Sequence, residues 1–152
     1  MNLPLIYAVG ACVAAASAEA LFMGKGGHAF MKSFRLPAFA PPAWGWALLG
    51  AGYYIICFIA MYRLTSRTTP SRLATDLLMI VMAANAFWNF VYFRLRDLRL
   101  TFWYSVGYAC LVAVLLVALL RTDNIAAIVF AIYAAYLPYA LALFYRIWKL
   151  NR

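Results

Sequence analysis

The sequence predicts an all-α membrane protein built as a five-helix transmembrane bundle, and three observations carry that prediction. Of 152 residues, 68% are hydrophobic and only 11% charged, too few charges to clothe a soluble domain of this size. Ala43–Tyr62, Leu77–Phe93, Leu100–Leu120 and Asn124–Tyr145 carry no charge at all, and Leu3–Met23 is broken only by Glu19. Each run is close to the ~20 residues that a helix needs to cross a bilayer core. The spans are placed at about 3–23, 43–62, 76–93, 100–120 and 124–148, in one domain over residues 1–152.

The first span contains Ala16-Ser17-Ala18, which fits a leader cleavage site, but no Lys or Arg precedes it as a leader requires. A retained helix is therefore expected. The segment after it, about Gly24–Pro42, is long and apolar, with Phe30, Phe34, Leu36 and Phe39, and is expected to fold over the helix ends as a lid. Its end reads FRLPAFAPPAWGW over Phe34–Trp46. Pro41 and Pro42 suit a helix start, where the missing N–H costs nothing, and Trp44 and Trp46 suit head-group depth.

In the third span, Asn85, Trp88, Asn89 and Tyr92 follow i, i+3, i+4, i+7 and share one face. Amides inside a membrane need a partner helix or a cavity, and this spacing fits both. In the fifth span Tyr133, Tyr136, Ala140 and Leu143 form a second one-sided stripe, and Pro138 is expected to bend the helix near Ala134. All five tryptophans (Trp44, Trp46, Trp88, Trp103 and Trp148) fall at the same membrane half. An interfacial belt would spread them over both ends, so an aromatic pocket under the first loop is expected.

The net charge of +9 follows topology and does not imply nucleic acid. With five alternating spans, the first loop, third loop and C-terminus carry nine basic residues, against Arg63, Arg67, Arg72 and Arg121 on the other side. That bias predicts a cytoplasmic C-terminus and an outside N-terminus. Separately, a bacterial cell membrane is expected rather than a mitochondrial outer membrane. Cys12, Cys57 and Cys110 show no metal spacing and are expected as small buried apolar side chains. His28, the single histidine, suits a solvated loop, and a haem-like guest would need orienting partners for it that the sequence does not identify. Glu19, close to the end of its span, is expected to snorkel or to pair with a Lys of the first loop.

Three blocks of residues, in order, resemble the TspO/MBR family, the tryptophan-rich sensory proteins of bacteria and the mitochondrial translocator protein. They are Pro37-x-x-x-Pro41-Pro42-x-Trp44-x-Trp46 with Tyr54 and Ala60, then Asn85-Ala-Phe-Trp88-Asn89-Phe-Val-Tyr92-Phe93, then Leu143-Phe-Tyr145-Arg-Ile-Trp148-Lys-Leu150-Asn151. The resemblance implies a bundle, commonly dimeric, that binds porphyrins, sterols and drug-like ligands beneath the first loop. It also implies a sterol motif at Leu143, Tyr145 and Lys149. Departures stand at Phe30-Met31, Leu36, Ile132, Tyr136 and Phe144, and Gly50 replaces a helix-two tryptophan tied to light-driven porphyrin breakdown in the family.

The expected function is that of a receptor or carrier for a flat apolar ligand, a tetrapyrrole such as protoporphyrin or haem, or a sterol or isoprenoid lipid. Candidate binding residues are Trp44, Trp46 and Tyr54 of the second span and Asn85, Trp88, Asn89 and Tyr92 of the third. Tyr136, Tyr139 and Leu143 of the fifth complete the set. No obligatory cofactor, no metal and no enzyme activity are expected, since no inward-facing nucleophile–base pair is visible. Expected partners are membrane lipids, the small ligand and a second copy, with Ala83 and Phe87, or Gly45, Gly50 and Gly52, permitting close helix approach. The rival function is a structural or assembly subunit that grips a protein partner with its aromatic faces.

Overall fold

The computed structural model describes residues 2–152, apart from the His28 side chain. The expectation for His28, a solvated loop side chain, therefore lies outside the described residues. Six α-helices form: α1 (Leu3–Met23), α2 (Gly27–Lys32), α3 (Ala43–Thr65), α4 (Arg72–Asn89), α5 (Leu98–Leu120) and α6 (Asn124–Leu150). α4 continues without a break into a π-helical segment, Phe90–Leu95. Five of the helices, α4 taken with that segment, are long and apolar enough to cross a membrane. The protein is an all-α, integral multi-pass membrane protein.

Helix starts are set by small polar side chains or by proline. Ser71 caps α4, Asp97 caps α5 and Asp123 caps α6, each accepting a backbone N–H from three residues on. Pro42 is the N-cap of α3, and Gly45 packs so closely beneath the Pro41–Pro42 pair that a Cβ there would lie 3.1 Å from Pro41. Helices outrun the apolar segments that predict them. α3 extends past Tyr62 to Thr65, α4 begins at Arg72 rather than 76, α5 begins at Leu98 and α6 runs to Leu150. Backbone hydrogen bonding does not stop where hydrophobicity stops, because long charged side chains let the helix continue into the head-group layer. α6 passes through Pro138 as one helix, with the Ala134 carbonyl deprived of its usual donor.

The spanning helices close a ring in which α1 packs on α3 and α4, α4 on α5, α5 on α6, and α6 on α3. Away from the first loop, the ring is filled by Cys57, Met61, Leu64, Leu78, Leu115, Leu119 and Phe130, all fully buried. Asp123 clamps that end. It accepts two hydrogen bonds from the Arg63 guanidinium at 2.8 and 3.0 Å and one from Arg67 at 3.0 Å. The Arg63 hydrogen bonds hold its carboxyl well below the usual carboxylate range, although burial works against them.

The cysteines only partly follow expectation. Cys57 is buried, but Cys12 is half-buried and Cys110 is exposed on the lipid side of α5. A small apolar side chain costs nothing against lipid, so a bundle does not need to hide it.

Candidate functional site: an aromatic cavity beneath the first loop

Gly24 ends α1 with φ +59 and ψ −179, a conformation open essentially to glycine alone. The chain then turns into α2, which lies across the bundle end. Phe30 packs edge-on against Tyr92 at 5.6 Å and Phe93 at 6.4 Å, and Phe34 lies 6.2 Å from Tyr92. The loop is tied down further along its length. Arg35 and Asn151 exchange two hydrogen bonds at 2.9 and 3.0 Å, and the Tyr139 hydroxyl donates to the Phe39 carbonyl at 2.8 Å. The segment is a lid with its own helix.

Under that lid lies a cavity of about 400 Å³, beside a smaller chamber of about 130 Å³. Six residues line both: Trp46, Asn85, Trp88, Tyr133, Tyr136 and Phe144. The larger chamber adds Glu19 and Met23 from α1, Gly50 and Tyr53 from α3, Asn89 at the end of α4 and Tyr92 from the π-helical segment.

The wall is rigid where rings meet. Trp88 stacks on Tyr92 at 5.0 Å and meets Phe144 edge-on at 4.8 Å, while its indole N–H donates to Ser105 Oγ at 2.9 Å. Ser105 in turn donates to the Thr101 carbonyl at 2.8 Å. The Tyr133 hydroxyl donates to the Tyr108 hydroxyl at 2.9 Å. Both polar tips are thereby held by α5 residues that line the smaller chamber, so neither group is left without a partner in the wall. The π-helical segment brings Tyr92 and Phe93 over the cavity mouth, and wide turns of this kind recur at functional sites.

Six of the ten candidate residues meet at the cavity: Trp46, Asn85, Trp88, Asn89, Tyr92 and Tyr136. The other four stand elsewhere. Trp44 is 71% exposed on the lipid face, because two positions along a helix turn a side chain about 200° away from Trp46. Leu143 is buried behind the wall, and Tyr139 holds the loop. Tyr54 sits behind the cavity, its hydroxyl close to Glu19 but without a hydrogen bond of ordinary geometry.

The sterol motif does not form one surface. Leu143 is fully buried, whereas Tyr145 faces outward with Lys149 Nζ 5.4 Å above its ring. Asn89 donates back to the Asn85 carbonyl at 3.2 Å, so its amide oxygen is the part free for a guest.

Glu19 is the residue that sequence reasoning missed. It neither snorkels nor pairs with a loop lysine; it turns inward and accepts a hydrogen bond from Asn85 Nδ2. A signal was there: Ala8, Cys12, Ala15 and Glu19 follow i, i+4, i+7, i+11, one face of α1, and the first three pack into the core.

Among curated proteins, a search returned no match. The description "TspO/MBR family" belongs to the family model that matches residues 8–149, nearly the whole chain. With five spanning helices, an N-terminal loop folded over the bundle and an aromatic cavity beneath it, the chain belongs to the TspO/MBR family.

Proposed function

We propose that the protein is a membrane receptor or carrier that holds a flat apolar ligand in the cavity beneath the first loop. A tetrapyrrole such as protoporphyrin or haem, or a sterol or isoprenoid lipid, fits the description. The observation that carries this reading is the convergence of Trp46, Trp88, Tyr92, Tyr136 and Phe144 on one cavity of about 400 Å³, within the size range of small-molecule sites. Rings offer dispersion and stacking to a flat body, while Asn85 and Asn89 orient it. Titrating protoporphyrin into the purified protein and following tryptophan fluorescence tests the reading. Saturable quenching that weakens in Trp88→Ala is expected; quenching that rises linearly and ignores that substitution contradicts it.

Binding without chemistry is part of the proposal. Gly50 lines the cavity, and a Cβ added there would meet nothing within 4 Å. The position thus offers space and no ring to stack on a macrocycle or to donate an electron. Illuminated protoporphyrin should not be converted by the wild-type protein faster than by a denatured control. Rapid bleaching to a distinct product would contradict this.

A homodimer is proposed through the outer face of α4, where Ala83 and Phe87 are exposed. Crosslinking in nanodiscs that yields monomer alone would count against it.

A further inference from the structure

Glu19 stands in the cavity wall without a counter-ion among the described residues. Its carboxyl accepts from Asn85 Nδ2, and the Tyr54 hydroxyl lies beside it. Both ion pairs among the described residues are at the opposite end of the bundle, on Asp123. Basic residues near the cavity are engaged elsewhere. Arg94 donates to the Leu21 and Phe22 carbonyls at 3.1 Å each, Arg96 lies 5.0 Å above the Phe30 ring, and Lys149 lies over Tyr145 and Trp148. Lys25 is exposed. The Asn85 amide satisfies part of what a carboxylate can accept, but in a membrane a carboxylate needs a positive partner to remain charged. Trp46, Trp88, Tyr133 and Tyr136 line the same cavity, and aromatic π-systems also favour a cation.

We infer that the cavity selects ligands that carry a cationic nitrogen on a flat apolar body, with Glu19 as the counter-ion. This rests on the cavity being the ligand site, as proposed above, and names the head group that site prefers. A ligand bearing carboxylates would have to turn them away from Glu19.

Three probes that share one ring system and differ in charge make the test: 1-pyrenemethylamine, 1-pyrenemethanol and 1-pyrenecarboxylate. Each is titrated into protein in phosphatidylcholine nanodiscs at pH 7, with tryptophan-sensitised pyrene emission as the readout. The amine should bind about tenfold more tightly than the alcohol, the size of one charge-assisted contact in a desolvated site, and the carboxylate most weakly. In Glu19→Gln the amine-to-alcohol ratio should collapse to near one, and Glu19→Asp, which keeps the charge, should restore a preference for the amine. An equal ratio in wild type and Glu19→Gln overturns the inference. If binding is saturable and sensitive to Trp88→Ala yet blind to probe charge, only the role of Glu19 fails. If no probe saturates, or Trp88→Ala changes none of them, the cavity is not the site and both readings fall.

Discussion

At the loop-covered end, α1, α3, α4 and α6 stand apart around a cavity, held by edge-to-face rings and by single hydrogen bonds from loop to helix. At the opposite end the same helices close on Leu64, Leu115, Leu119 and Phe130, none of them exposed, and one aspartate gathers two arginines. The charges show the same division. Asp123 is fully partnered, whereas Glu19 meets only an amide and a nearby hydroxyl. The contrast teaches that stability is concentrated where no ligand binds, which leaves the other end free to stay open. Cavities and uncompensated carboxyls each cost stability; a tightly packed opposite half, clamped at Asp123, offsets them.

The strongest way to break this comparison is Asp123→Ala. It removes the α6 cap and leaves Arg63 and Arg67, both partly open to water, without a carboxylate, for a loss of about 2 kcal/mol, most of it from the cap. Unfolding in mixed micelles should show it, while protoporphyrin affinity changes little. Large loss of binding at unchanged stability would mean that the two ends are not separate.

The same carboxyl gives a pH signature. Its folded-state pKa is depressed by the Arg63 hydrogen bonds, so its contribution is present above the unfolded value of about 3.9 and is lost as pH falls through the folded one. Wild-type stability should therefore decline below about pH 4 relative to Asp123→Asn. Parallel curves for the two proteins would contradict this role.

Gly24→Ala should cost about 2 kcal/mol through the backbone it forces. A Cβ there would also lie 2.9 Å from Arg94 Nη2, pushing that side chain off the α1 carbonyls. Hydrogen exchange should rise in α2 and the α1 end, and not around Asp123. Smallest of the set is Tyr139→Phe, which removes the hydrogen bond to Phe39 for about 1 kcal/mol. Faster amide exchange over residues 33–42 is the expected sign.

Much of this architecture is legible in the sequence because it rests on local quantities. Long apolar runs, four of them without a charge, mark the five spans, and the i, i+3, i+4, i+7 spacing brings Asn85, Trp88, Asn89 and Tyr92 to one wall. Angular arithmetic would also have separated Trp44 from Trp46 and Leu143 from Tyr145, since residues two apart on a helix point apart.

Other features are set by tertiary packing and leave little local trace. The π turn at Phe90–Leu95 has no marking glycine or proline, and α2 is a six-residue helix that forms against Tyr92 and Phe93. Glu19 was misjudged for an energetic reason: snorkelling is the default for an acid near a span end, but here Asn85 across the bundle offers a donor.

The central claim is that a ligand enters the cavity rather than lying against the aromatic outer surface at the same depth. Trp46 and Trp88 line the cavity, whereas Trp44 and Trp103, at 71% and 57% exposure, face outward at the same end. The decisive measurement is the protoporphyrin dissociation constant of the four single Trp→Ala variants in nanodiscs. The account predicts about tenfold weakening in Trp46→Ala and Trp88→Ala, as expected for losing one stacking wall, with Trp44→Ala and Trp103→Ala within error of wild type. Equal effects in all four, or larger effects in the outer pair, would contradict it.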